Sequence, residues 1–391
     1  MSLRKVTYLL LALGAIIYLP YLGALIKFNG SIPDSYFYFP PNKVAKPESN
    51  VIVIVITAII FLSITLLYIF PKLFGFKKQI DNEVKEITGK RFPIWFWIGL
   101  ILWGGTFVLL VGKFNEPKWI LNWALIPLCW GFVFFLDGLV YYISDGNSML
   151  KNRPTELIGL GIMSISGWLI YEYLNFFIEH NWYYPADYLV STHDKYILYA
   201  ALGSSGFMPL AFEWYQLLRK SRLLNSKYKH GPRIRVSKRI SFLLLAGSVV
   251  GLIAVPFNPN NLFYFIWLAP VIIMALILEK LSIWTPFTPI KESGDWTALL
   301  VFALTFLAQG VMLECTNYFS ARHFSNDQFE TFNPAFWKYC IPYVHVGKIF
   351  EMPVLGYSGY LLFSIHCWLW WILFANLTGI ITEFSSQKDF R

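Results

Sequence analysis

The sequence predicts an all-α integral membrane protein of about ten transmembrane helices, arranged as two parallel four-helix repeats after a two-helix N-terminal unit. Three observations predict it. Of 391 residues, 56% are hydrophobic and only 14% charged, where an ordinary soluble domain has roughly a quarter charged. Apolar runs of the roughly 20 residues that cross a bilayer recur along the chain. A polar motif inside one run, "YEYLNFF" (171–177), returns inside another as "LECTNYF" (313–319).

The N-terminal unit, 1–92, contains the runs 6–27 and 51–71 and a basic loop. The first run follows Arg4 and Lys5 as a signal peptide would, but it is longer than a signal core and no small-x-small cleavage site follows, so we read a retained span. The runs 93–113, 119–143, 155–178 and 195–218 form a first repeat within 93–239. Those at 240–256, 261–283, 296–319 and 350–380 form a second within 240–391. Three segments rich in proline and aromatics separate the spans, at 28–50, 179–195 and 320–348. Their Trp and Tyr rings suit the headgroup level, where an apolar body and a polar tip are both satisfied.

Basic residues set the orientation. Placing the N-terminus in the cytoplasm puts 23 of the 32 Lys and Arg inside and nine outside, with both termini cytoplasmic. The net charge of +9 is then a consequence of topology. The basic stretch 219–239 reads as an inner loop touching anionic lipid, so no nucleic-acid partner is expected. Cys129, Cys315, Cys340 and Cys367 show neither CxxC nor metal-ligand spacing, so neither a disulfide framework nor a metal site is expected. No motif names a cofactor.

The repetition extends beyond the opening motif. Glu172-x-x-Asn175 matches Glu314-x-x-Asn317, Trp182-x-Tyr184 matches Trp337-x-Tyr339, and Gly203/Gly206 matches Gly356/Gly359. The offsets of 142, 155 and 153 residues imply an insertion in the second outer loop. A competing alignment pairs Met208-Pro209 with Met352-Pro353. Four spans per repeat leave both copies in one orientation, related by a pseudo-twofold axis along the membrane normal.

Acidic residues inside spans are expensive and face a bundle interior or cavity. Glu172 and Glu314, with Glu351 at the outer start of the last span, are candidate acid/base groups in an outer layer, and His366 lies deeper. Asn175 and Asn317 share a helix face with their glutamates; with Trp182, Tyr184, Trp337 and Tyr339 they are candidate substrate-binding groups around one outward-opening pocket. The same polar pairs equally serve to bond a neighbouring helix or cap a loop. Asp137 and Glu279, nearer the cytoplasmic ends, are expected to be ion-paired with inner basic residues.

At "ECTNYF…FWKY…KIFEMPVLGYSGYLLF" (314–363) the chain resembles a family of uncharacterised polytopic bacterial membrane proteins, with His366 where that family has a trailing Glu. The resemblance implies architecture and the bacterial inner membrane, not an activity. The duplicated Trp-x-Tyr is also similar to lycopene-cyclase-type duplicated membrane domains. Their Pro-Leu/Ile-Glu-Glu string is broken here at Pro209-Leu210 and Pro353-Val354. Three functions follow as expectations: chemistry on an isoprenoid or other membrane lipid, transport or carriage of a lipid through the same site, or a non-catalytic subunit meeting another membrane protein.

Overall fold

The computed structural model describes residues 2–41, 49–77, 90–325 and 328–385; Lys43, Lys46, Lys78, Lys85, Lys388 and Arg391, counted above for orientation, lie outside them. The longer helices are α1 (Leu3–Lys27), α2 (Val51–Ile69), α3 (Ile94–Val111), α4 (Leu125–Ile143), α5 (Pro154–Asn175) and α6 (His193–Ser204). They continue as α7 (Phe207–Leu218), α8 (Lys238–Ala254), α9 (Phe265–Lys280), α10 (Thr297–Phe319) and α11 (Ser358–Thr378). Strand is confined, among the described residues, to three two-stranded antiparallel ribbons: β1 (Trp182–Tyr183) with β4 (Lys338–Tyr339), β2 (Ala321–His323) with β3 (Phe329–Thr331), and β5 (Lys348–Ile349) with β6 (Met352–Pro353).

Eight of these helices, all but α6, α7 and α9, are long and apolar enough to cross a membrane. The expected span at 195–218 is two helices of 12 residues each, and that at 261–283 contracts to the 16 residues of α9. Proline explains the first difference. Pro209 has no N–H to give the carbonyl four residues back, so the ladder fails just before it.

The break is repaired by side chains. Ser164 of α5 donates to the Ser204 carbonyl at 2.5 Å and accepts from the Met208 N–H at 3.0 Å. Trp130 donates to the Ser205 hydroxyl at 2.9 Å, and Gln309 donates to the Phe207 carbonyl at 3.2 Å. Away from water such groups must find protein partners, which is why a broken helix at this depth is surrounded by Ser, Trp and Gln.

α3 packs along α4, and α8 along α9. α4 also meets α7, as α9 meets α11; α5 meets α7, as α10 meets α11; and α7 touches α10, as α5 touches α11. α1 lies against α8 and α9. By contrast α2 buries none of its residues. Lipid tails are as apolar as leucine, so membrane helices associate by close fit. A Cβ on Gly131 would stand 2.6 Å from the Trp103 nitrogen, and one on Gly99 would stand 2.4 Å from the Phe135 nitrogen. Gly131→Leu is therefore expected to cost about 1–3 kcal/mol through overpacking, read as a lower melting temperature in detergent. Gly104→Leu, where a Cβ meets nothing within 4 Å, should change little.

The loops gather at two ends. At one, the Lys77 N–H bonds the His230 carbonyl, the Gly231 N–H the Gly294 carbonyl, and the Trp296 N–H the Tyr228 carbonyl. At the other, the Tyr184 N–H bonds the Pro41 carbonyl, the Cys340 N–H the Asn181 carbonyl, and the Asn50 N–H the Tyr343 carbonyl.

Candidate functional site

Glu172 and Asn175 sit on the last turns of α5, with Glu172 4% exposed and Asn175 fully buried. The chain reverses through Glu179 and His180, both at positive φ, and returns as β1 (Trp182–Tyr183). The Asn175 carboxamide holds this return, accepting from the Asn181 N–H at 2.8 Å and donating to the Trp182 carbonyl at 2.9 Å. Trp182 and Tyr184 then reach back to the carboxyl. The indole N–H lies 3.1 and 3.2 Å from the two Glu172 oxygens, and the Tyr184 hydroxyl donates to Oε1 at 2.5 Å.

The same construction stands at the end of α10. The Asn317 carboxamide brackets Trp337, accepting from its N–H at 3.0 Å and donating to its carbonyl at 2.9 Å. Glu314 Oε1 receives the Trp337 indole at 3.2 Å and the Tyr339 hydroxyl at 2.5 Å. A third donor, Tyr360 of α11, reaches the same oxygen at 2.7 Å. Gly310 makes room for it, since a Cβ there would meet the Tyr360 ring at 2.7 Å. Glu314 Oε2 is buried without a hydrogen-bond partner among the described residues.

The two units meet in a ribbon. β1 pairs antiparallel with β4 (Lys338–Tyr339), Trp182 opposite Tyr339 and Tyr183 opposite Lys338. Side chains alternate along a strand and opposed residues share a face. Trp182, Tyr184, Trp337 and Tyr339 therefore lie on one face of the ribbon, over the carboxyls, and Tyr183 and Lys338 lie on the other. Each carboxyl sits in a nest of its own beneath this ribbon, where the sequence led us to expect one shared, outward-opening pocket.

Among the described residues, every donor to the two carboxyls is neutral and neither glutamate forms an ion pair. Burial, and next the adjoining Glu172 carboxyl, push the Tyr184 hydroxyl well above the ordinary tyrosine range. Burial and Glu314 do the same to Tyr339. Both hydroxyls are therefore fixed as donors at neutral pH.

Glu351 lies in the turn between β5 (Lys348–Ile349) and β6 (Met352–Pro353). It faces His323 Nδ1 at 3.5 Å and Lys348 Nζ at 3.9 Å. His366 lies apart from these carboxyls, fully buried on α11, 4.8 Å edge-on from the Tyr171 ring and 5.3 Å from that of Trp370. Tyr171 stacks on Trp267 at 4.5 Å, and Trp267 lies 5.8 Å from Trp182. An aromatic path thus joins His366 to the first unit.

The inner polar layer differs from expectation at one residue. Glu279 does pair with Lys291. Asp137 takes neutral donors instead, the Trp95 indole at 2.9 Å and the Leu150 N–H at 2.8 Å, because it lies inside α4 where the next loop folds back onto it. The strongest inner cluster centres on Arg153, which the sequence offered only as a loop charge. It bonds Glu156 at 2.5 Å and Gln216 at 2.7 Å, faces Glu383 at 3.4 Å, and lies over the Phe384 ring. Gln216 in turn donates to Glu213 at 3.0 Å.

Tyr360 is the site residue that sequence reasoning missed. Its one signal was its place in "GYSGY", directly before the last apolar run. Among the described residues, no group of three or more His, Cys, Asp or Glu is placed to hold a metal ion. Compared with family models, curated proteins and solved structures, the chain matches none of them.

Proposed function

We propose that this is a multi-pass protein of the bacterial inner membrane that acts on an isoprenoid or other lipid, with Glu172 and Glu314 as acid/base groups near the outer leaflet. The observation that carries the reading is the neutral environment of two buried carboxyls. A structural carboxylate in an apolar interior is ordinarily paired with a cation. Here Trp N–H and Tyr O–H groups fix each carboxyl without neutralising it, as suits a group that gives and takes a proton. Trp182, Tyr184, Trp337 and Tyr339 orient the carboxyls, and Asn175 and Asn317 hold the strands that carry them.

The duplication is part of this proposal. Helices α3, α4, α5 and α7 have the same mutual neighbours as α8, α9, α10 and α11, which supports two parallel repeats. The ribbon register supports it too: if Trp182 and Tyr184 correspond to Trp337 and Tyr339, then Tyr183 and Lys338 correspond to each other, and they pair. A pseudo-twofold axis would run between them. With α6–α7 counted as one broken span and α9 as a short one, the ten spans remain, both termini facing the cytoplasm. Gly206 and Gly359 both fall at the head of the last helix of a repeat, whereas Met352-Pro353 lies in β6, which favours the glycine alignment.

Glutamine keeps the shape and the acceptor oxygen of glutamate but not its acid/base chemistry. Glu172→Gln and Glu314→Gln are each expected to lower conversion of the lipid by about a hundredfold or more, with the protein still folded. Mass spectrometry of lipids from cells with each variant, against wild type and a deletion, reads this. A lipid profile identical in wild type, variants and deletion would remove the enzymatic reading. The second reading, a lipid carrier, draws on the break between α6 and α7, since discontinuous helices line transport sites. It expects an unchanged lipid inventory and altered distribution between leaflets.

A further inference from the structure

A groove of about 560 Å³ runs between α1, α5 and α11, each long and apolar enough to cross a membrane. Ile17, Ser166 and Trp370, one from each helix, lie near mid-helix, so the groove opens at the depth of the hydrocarbon. α1 rests on α8 and α9 whereas α5 rests on α7 and α11, which leaves a cleft between them. Its rim is open and its floor is covered: Ile17 and Ile162 are 45% and 57% exposed, Ile170 and Trp370 7% and 6%. The polar side chains along it are already engaged. The Ser166 hydroxyl donates to the Met163 carbonyl at 2.9 Å and accepts from the Trp370 indole at 3.1 Å. The Tyr173 hydroxyl donates to the Ile17 carbonyl at 2.8 Å, tying α1 to α5 at one edge. Glu172 and Glu314 lie outside the groove.

We infer that this groove is a lipid site that holds one acyl chain of a bilayer phospholipid, a structural filler between α1 and the α5–α11 pair. Its lining selects that occupant. A buried water needs two or more polar partners, and the polar side chains here are bonded to one another or to main chain. A head group would need the same, so the part of a lipid that fits is its chain. The volume lies within the range of about 300–1,000 Å³ typical of small-molecule sites. With nothing polar to recognise, the groove has no means of favouring a scarce lipid over the chains that surround it in excess, so phospholipid fills it rather than an isoprenoid. Ile162, Ile165 and Leu169, three and four residues apart, share one face of α5 and form a wall along which an extended chain lies. Membrane helices associate by close fit, and an empty cleft would forfeit the dispersion contacts that a chain supplies. This site goes beyond the acid/base reading and does not depend on it.

The test uses the full-length protein in liposomes of phosphatidylethanolamine doped with the same lipid carrying a mid-chain diazirine. After illumination, tandem mass spectrometry locates the label. Ile101, near the middle of α3 and 72% exposed, reports passing bilayer lipid. A held chain should label Ile170 and Trp370 about fivefold more than Ile101, although both are buried. Ile165→Trp, which fills the groove, should lower the label at Trp370 about fivefold and leave Ile101 unchanged. Added polyprenol should not displace the label. Stronger labelling at Ile101 than at the floor, or an unchanged pattern in Ile165→Trp, would mean passing lipid only and overturn the site. Loss of label to polyprenol would overturn the acyl chain as its occupant. Should Ile165→Trp fail to fold, the wild-type comparison of the floor with Ile101 decides alone. None of these readouts involves turnover, so failure here is distinct from failure of the proposed function.

Discussion

Arg153→Met is expected to destabilise the protein by about 3–5 kcal/mol, the usual cost of removing one partner from a buried ion pair. Glu156 is 2% exposed and Gln216 3%, so neither can turn to water when the guanidinium goes. The arginine also holds Glu383 and covers Phe384, which lies 4.5 Å from the Phe212 ring and 6.1 Å from that of Tyr215. One side chain therefore joins the start of α5, the end of α7 and the segment after α11. Thermal unfolding in detergent should show the loss. Arg153→Met with Glu156→Met should recover part of it, since the stranded carboxyl is removed as well. If the single variant melts with wild type, the cluster is not a structural joint.

The second large effect concerns the carboxamides. Asn175→Ala strands the Asn181 N–H and the Trp182 carbonyl, and Asn317→Ala strands both main-chain groups of Trp337. An unsatisfied buried polar group costs about 1–3 kcal/mol, so each variant should lose several kcal/mol. The strands they hold are only two residues long and pair with each other, so the losses should be coupled. The double variant is expected to depart from additivity, as sites sharing one network do. Asn→Asp keeps the acceptor but not the donor and should fall between. Melting temperatures of the four proteins measure this; strict additivity would mean that the strands are held independently.

These effects mark where the sequence was legible. The Glu-x-x-Asn and Trp-x-Tyr pairs could be read because their spacing is local: three residues on a helix share a face, and two on a strand share a face. Their bonding to each other could be anticipated only as one of several helix-end roles. The pairing of β1 with β4 could not be read, since two-residue strands carry no periodicity and the partners lie 155 positions apart. Hydropathy found the long helices but averaged over Pro209, so one run concealed a break. Tyr360 was hidden by abundance in a chain that is 19% aromatic, and Arg153 by its place among loop charges. Asp137 was assigned a cationic partner because charge is visible in sequence, whereas the indole and main-chain N–H groups that bind it are not.

The central claim is that one ribbon covers both carboxyls, with equivalent residues facing each other at its centre. Cysteines at Tyr183 and Lys338, in a background lacking the four native cysteines, test it most directly. Directly opposed strand residues bring their Cβ atoms to about 4.5–5.5 Å, close enough for a disulfide after slight adjustment. Mild oxidation should link positions 183 and 338 within one chain, so that fragments from proteolysis between them separate only after reduction. The pair 183 and 336, two residues out of register, should link far less. Preferential linkage of 183 to 336, or none to 338, would contradict the shared ribbon and with it the pairing of the two sites.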